Sequence, residues 1–228
     1  IAAAALTAGL GVVLVEREGE ALDRGLARVA EIKERAVEKG RLSREGMADE
    51  WARLIGTTDI GAMAGVDLAV EAVYEDPEVK AGVFRQLDAV LRPGAVLASN
   101  TSYLDVDALA AVTGRPAEVV GLHFFSPAHV MRLVEVVVGR ATAPDVAATG
   151  MALARRMGKI PVRAGVCDGF IGNRILTAYR TAMDFLVEDG ASPYAVDAAM
   201  RAFGFPLGPY EVADLAGLEI GWARRRRL

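Results

Sequence analysis

Residues 67–100 read DLAVEAVYEDPEVKAGVFRQLDAVLRPGAVLASN, and this stretch decides the fold. Asp67–Val73 is a short, nearly continuous apolar run, the pattern of a strand covered on both faces. Pro77 follows at a helix start, and the helical stretch continues to Leu91. Pro93-Gly94 then turns the chain into Ala95–Asn100, a second apolar strand. Strand, helix and strand in succession predict a parallel pair, because a crossover helix returns the chain to the same end of the sheet.

The alternation extends in both directions. Upstream, a helix over Ile1–Ala8 leads to Gly11–Glu16, a β-branched run that ends on a carboxylate. Ala21–Gly40 places Leu22, Leu26, Val29, Lys33 and Val37 at helical spacing, with Gly40 as the stop. Ser43 caps a further helix running through Trp51. Downstream, a short helix near Asp105–Val112 leads to the strands Glu118–Phe125 and Arg132–Val138. Only Ser126–Met131 separate these two, too few residues for a parallel crossover, so an antiparallel edge hairpin is expected. Pro144–Met157 reads as a helix and Ile160–Arg163 as a final short strand. From Cys167 the texture becomes helical, with helices over Phe170–Val187, Pro193–Phe203 and Pro209–Leu218. Breaks fall at Asp189-Gly190 and at Gly204-Phe205-Pro206. The basic run Arg224–Arg227 reads as a solvated helix end, or alternatively as a phosphate-contacting or frayed tail. A chain that opens on Ile1, inside an Ala-rich helix with no visible cap, is expected to have a segment upstream.

Composition narrows the class. The 228 residues are 53% hydrophobic and 25% charged, with a net charge of −4. So high an apolar fraction excludes an intrinsically disordered chain. The acidic balance argues against a nucleic-acid protein built on a basic face. A single cysteine excludes a disulfide framework and suits a reducing compartment. The apolar start Ile1–Val15 is shorter than the roughly 20 residues a bilayer requires, so no membrane span is expected. It has no basic leading segment, so it does not read as a signal peptide. No Cys/His cluster has metal-ligand spacing, and no metal is expected.

The residues that could carry chemistry gather at strand ends. A helix followed by a strand ending in an acid is the second half of a dinucleotide-binding unit, whose acid accepts hydrogen bonds from the ribose hydroxyls. Glu16 stands in that position; read alone it is equally an exposed carboxylate. An acid there repels a 2′-phosphate and favours NAD over NADP. In open parallel sheets ligands bind at the strands' C-terminal ends. Polar groups stand there in Glu71–Glu75, in Ser99–Ser102 and in His123–Pro127. Taken singly, Glu71 reads as a structural hydrogen-bonding group, Ser99–Ser102 as a helix cap and His123 as a core histidine. Glu135 changes the reading of His123. A carboxylate within Leu-Val-Glu-Val-Val-Val is costly to bury without a partner, and the expected hairpin brings it near the imidazole. Such a carboxylate fixes the ring's tautomer and leaves its other nitrogen to take or give a proton. The segment Asp168-Gly-Phe-Ile-Gly-Asn173-Arg174 opens a helix with two glycines; Asn173 is either a helix-surface polar residue or faces the crevice.

Several segments jointly carry a resemblance. Val12–Glu16, Val70-Glu-Ala-Val-Tyr-Glu75-Asp with Lys80, Ala98-Ser-Asn-Thr-Ser102, Gly121-Leu-His-Phe-Phe-Ser-Pro127 and Leu133-Val-Glu135-Val supply its first part. Asp168-Gly-Phe-Ile-Gly-Asn173-Arg and Pro206-Leu-Gly-Pro209-Tyr-Glu-Val-Ala-Asp214 supply its second. The chain resembles the NAD-dependent (S)-3-hydroxyacyl-CoA dehydrogenase family over essentially its whole length. Tyr103, Ser126 and the tail from Asp214 to Trp222 look more like the dehydrogenase part of the multifunctional fatty-acid oxidation proteins. In those an enoyl-CoA hydratase domain precedes this region and another helical domain follows it.

The resemblance implies an α/β fold: a Rossmann-like, mostly parallel sheet with antiparallel edge strands over residues 1–165, then an all-helical domain over 166–228. Both are expected to be incomplete at the chain ends, with the first strand and the glycine-rich loop lying before Ile1. Without that loop, residues 1–228 alone are expected to bind NAD weakly or not at all. The resemblance makes His123 the catalytic base and Glu135 its orienting partner. It puts Ser102 and Asn173 on the substrate's reacting oxygen or the nicotinamide. It implies NAD contacts at Glu16, Ala72, Glu75, Lys80, Asn100, Ser102 and Ser126. The expected reaction is oxidation of a 3-hydroxyacyl-CoA to the 3-oxoacyl-CoA in β-oxidation. The expected setting is cytoplasmic, with an acyl-CoA substrate and either a homo-oligomer or a multifunctional chain. Two alternatives stay open: a 3-hydroxybutyryl-CoA dehydrogenase of a biosynthetic route, and a dinucleotide-binding scaffold without turnover.

Overall fold

The structure, a computed structural model, describes residues 1–216. Trp222, the run Arg224–Arg227 and the last two residues of the helix expected to reach Leu218 lie outside the described residues. Two compact units follow one another, Ile1–Phe170 and Ile171–Leu228.

The first unit alternates as its apolar runs require. Helix α1 (Ala2–Thr7) precedes β1 (Val12–Val15), α2 (Gly19–Glu38) and α3 (Arg44–Trp51). Gly40, at φ +65°, stops the chain after α2, and the Ser43 side chain accepts from Gly46 N to start α3. Next comes β2 (Leu54–Thr57), a four-residue strand that the apolar pattern did not reveal. Then follow β3 (Leu68–Glu71), α4 (Pro77–Val90), β4 (Val96–Ser99), α5 (Val106–Ala111) and β5 (Val119–Phe124). Asp76 caps α4 with Pro77 in its first turn, and Asp105 caps α5. The unit closes with β6 (Leu133–Val138), α6 (Pro144–Arg156) and β7 (Ile160–Gly165).

The strands form two hydrogen-bonded groups, β1-β2 and β3-β4-β5-β6-β7. All neighbours run parallel except β5 and β6, the expected hairpin, and β7 adds outside β6 in parallel. Among the described residues each of β1 and β3 is therefore bonded along one edge only, and both line a cavity of about 750 Å³ with Leu10, Phe124 and Met157. The five-stranded sheet is covered on both faces. Ala69, Leu97, Val119 and Val137 pack with Phe84 and Leu87 of α4 and with Val106 and Leu109 of α5. Val96, Val120, Leu122, Val134 and Val136 pack on the opposite face with Val146 and Ala154 of α6. Gly121 is required by close approach, since a Cβ there would lie 2.7 Å from the Cβ of Val137.

Lys33 does not fill an apolar slot in α2. Its side chain is buried, donates to Ala3 O (2.8 Å) and Thr7 Oγ1 (2.6 Å), and pairs with Glu50 of α3. That pairing is what makes its burial tolerable. In the second unit α7 (Gly172–Glu188), α8 (Pro193–Phe203) and α9 (Pro209–Ala216) follow in order, with Gly204 at φ +121° ending α8. No helix among the described residues is long and apolar enough to cross a membrane.

Candidate active site

Register alone brings the polar groups together. Residues paired across a sheet share a face, so the alignment Glu71, Ser99, Gly121 puts these three on the α4/α5 face. His123 lies two positions further along β5 on that same face, directly opposite Glu135 of β6. The apolar interior thus gives way to polar side chains at the C-terminal ends of β3, β4 and β5, the end where open parallel sheets bind ligands.

The imidazole and the carboxylate meet as the hairpin predicted. His123 Nδ1 lies 2.7 Å from Glu135 Oε2, with side chains 5% and 1% exposed. In such a dry site the bond holds the ring's orientation and places a proton on Nδ1, which faces a carboxylate that accepts. Two aromatic rings fix the other surfaces of the imidazole: Phe125 at 4.5 Å and Phe170 at 5.7 Å between ring centres. Phe170 is fully buried and is held at φ +47°, after Gly169 at φ +72°. Neither ring was among the residues expected from sequence, because their relation to His123 depends on a turn and not on spacing.

A second cluster organises the loop after β4. Glu71 Oε1 accepts from Lys80 Nζ (2.7 Å) and Val73 N (2.6 Å), and Glu71 Oε2 accepts from the Ser99 hydroxyl (2.7 Å). Lys80 Nζ also donates to Val73 O and lies 3.3 Å from Glu75 Oε2. Glu75 Oε1 accepts from Thr101 Oγ1 (2.6 Å), Ser102 N (2.8 Å) and Tyr103 N (3.0 Å). Asn100 Oδ1 accepts from Phe124 N (2.8 Å), one residue beyond His123, and so joins this loop to the imidazole strand.

Of the residues expected to contact a cofactor, Lys80 is 1% exposed and its ammonium is turned onto Glu71, Glu75 and Val73 O. Glu75, Asn100 and Ser102 belong to the cluster just described. Glu16 is half-buried at the C-terminal end of β1, and Ala72 is exposed just past β3. Ser126 is exposed in the hairpin loop, whose carbonyls Ala128 O and Met131 O accept from Lys159 Nζ. Asn173 lies in the first turn of α7, in the second unit, where its carbonyl accepts from Thr177 Oγ1.

The Glu75 carboxyl is shifted by opposing influences. Burial alone would raise it. The Thr101 hydroxyl, the Lys80 ammonium and the Ser102 and Tyr103 amides together outweigh that and hold it below its ordinary value of 4.5. A carboxyl depressed in the folded state adds stability above its unfolded value, and that stability is lost as pH falls through the folded one. Urea-unfolding midpoints of wild type should therefore fall more steeply below about pH 4.5 than those of Glu75→Gln. Equal slopes would show that the cluster holds no such charge.

A doubly wound, mostly parallel sheet with an imidazole–carboxylate pair at its C-terminal rim defines an α/β protein of the dinucleotide-binding class. Comparison makes the assignment particular. Residues 1–167 match the 3-hydroxyacyl-CoA dehydrogenase NAD binding domain and residues 169–228 match the C-terminal domain of 3-hydroxyacyl-CoA dehydrogenase; the chain belongs to this family. It is 45% identical over 218 residues to the peroxisomal bifunctional enzyme of Danio rerio, covering 96% of this chain and 30% of that protein. It is 38% identical over 221 residues to the fatty acid oxidation complex subunit alpha of Psychrobacter sp. (strain PRwf-1), covering 97% of this chain and 31% of that one. Among solved structures, 3-hydroxybutyryl-CoA dehydrogenase from Escherichia coli K12 superposes with a TM-score of 0.90 at 42% identity, over 97% of this chain and 48% of that chain. The chain thus spans about a third of the length of the curated relatives it matches.

Proposed function

We propose that this chain is the dehydrogenase portion of a multifunctional protein of fatty-acid β-oxidation, oxidising (S)-3-hydroxyacyl-CoA to 3-oxoacyl-CoA with NAD. The observation that carries this reading is the buried 2.7 Å contact between His123 Nδ1 and Glu135 Oε2 at the rim of the sheet. The residues present fit the cofactor: a carboxylate, Glu16, directly follows β1, and the polar ends of β3 and β4 lie on the ligand-binding side. Bound NAD supplies the hydride acceptor.

The chain's own residues handle the proton. His123 takes it from the substrate hydroxyl at Nε2, the nitrogen turned away from Glu135. The Glu135 carboxylate offsets the imidazolium that forms. Ser102, on the loop clamped by Glu75, orients the substrate oxygen, and Asn173 keeps the role in that contact which the resemblance implies. Glu75, whose side chain is 33% exposed, keeps the cofactor contact that the resemblance implies. Lys80, 1% exposed and turned onto Glu71, departs from that expectation and serves the cofactor by shaping this loop. Glu16, Ala72, Asn100, Ser102 and Ser126 are assigned direct contact with it.

Membership of a multifunctional chain is supported by the 30% of the Danio rerio bifunctional enzyme that this chain covers. Self-association is a further expectation, supported by the exposed Phe185, Tyr194 and Phe203. A cytoplasmic setting remains the expectation from the single cysteine, which suits a reducing compartment. The peroxisomal name of the Danio rerio relative favours that organelle as the second reading. The 42% identity to 3-hydroxybutyryl-CoA dehydrogenase favours, as a second substrate reading, a short acyl chain.

The test is NADH formation by the full-length protein across a series of (S)-3-hydroxyacyl-CoA chain lengths. Turnover with long chains supports the reading above. Turnover confined to the four-carbon substrate supports the short-chain one. No turnover with any of them rejects the enzyme reading in favour of a scaffold.

A further inference from the structure

Glu71 is the most enclosed acid of the β3 end: its side chain is 0% exposed. It reaches both segments that leave the sheet beside His123. Its carboxylate takes Val73 N on the exit from β3 and Ser99 Oγ at the end of β4, while its own carbonyl accepts from Asn100 N (2.8 Å). Two routes then lead from it to Ser102. One passes through Ser99 Oγ, which accepts from Thr101 N (3.2 Å). The other passes through Lys80 to Glu75, whose Oε1 holds the amides of Ser102 and Tyr103.

Stability does not explain this arrangement. Two carboxylates and one ammonium gathered at a sheet end are expensive to desolvate, and well-packed apolar side chains often do as well or better in such places. What apolar side chains cannot supply is direction. A satisfied polar network admits one geometry, and here its bonds tie the exit from β3, at Val73, to residues 99–103.

We propose that Glu71 is a positioning residue: as the common partner of Val73, Ser99 and Lys80, it sets the loop that presents Ser102 to the substrate oxygen. It touches neither substrate nor cofactor and acts through Lys80–Glu75 and Ser99–Thr101. The role rests on the dehydrogenase reading for its consequence, though not for its geometry.

The experiment uses the full-length protein and Glu71→Gln, which keeps the shape and removes the charge. Two quantities are read: kcat and KM with a 3-hydroxyacyl-CoA, and hydrogen exchange at the Ser102 and Tyr103 amides. Misplacement of a positioning group by a fraction of an ångström should lower kcat about 10- to 100-fold while KM moves less than about threefold. Exchange at the two amides should quicken by about tenfold or more, with distant strand amides unchanged. If Glu71→Gln does not fold, the double variant Glu71→Gln/Lys80→Met removes both buried charges. It should fold while keeping the low kcat and the fast exchange. Wild-type kcat and unaltered exchange in either folded variant overturn the proposal. Absence of turnover in wild type overturns the dehydrogenase reading instead, and the amide exchange still decides whether Glu71 orders the loop.

Discussion

Replacing His123 by glutamine should lower kcat by about 10²- to 10⁴-fold, the range contributed by a positioned acid–base group. Glutamine can still donate an amide N–H toward Glu135, so the buried carboxylate keeps a partner. It has no nitrogen that takes up a proton near neutral pH. The loss should therefore appear in kcat with little change in KM, since the substrate's ground-state contacts are retained. Thermal unfolding followed by circular dichroism should give a melting temperature close to wild type. Near-normal turnover in a folded variant would reject His123 as the base, and with it the chemical reading of the pair.

Lys80→Met carries the largest expected effect on stability. The ammonium is 1% exposed and faces Glu71 at 2.7 Å, with Glu75 at 3.3 Å. Removing it leaves Glu71 buried without its counter-charge, a situation that destabilises by about 3–5 kcal/mol. Urea unfolding measures this directly. The same data for Glu71→Gln and for the double variant complete a cycle, and a double variant more stable than Lys80→Met alone isolates the pair. A loss below about 1 kcal/mol would mean the ammonium is solvated, contrary to its burial.

How far these features were legible from residues alone differs by kind. Elements defined by periodicity and end signals were readable: Pro193–Phe203 has the bounds that its proline and Gly204 suggest, and Ser43 caps its helix. The meeting of His123 and Glu135 was readable because a six-residue connection leaves a hairpin as the simple solution, and register does the rest. β2 escaped because four residues with Gly56 among them carry too little periodic signal. Lys33 sat at an apolar position of α2, and nothing local shows that Glu50 arrives from another helix to pair with it. Phe170 escaped for a related reason, since its approach to His123 depends on two successive residues at positive φ. The Glu71 cluster shows the limit most clearly. Its members span Glu71 to Tyr103, and parallel pairing converts that distance along the chain into contact.

The two half-bonded strands of the first unit have a consequence for anyone handling it. Among the described residues β1 and β3 each pair with a single strand, so each keeps one row of backbone groups outside the ladder, and both line the same cavity. Such rows are templates for annealing with other molecules, and apolar surroundings strengthen the tendency. The clarity of a solution of residues 1–228 should depend on dilution, and on any extended peptide that fits the gap, far more than on ionic strength.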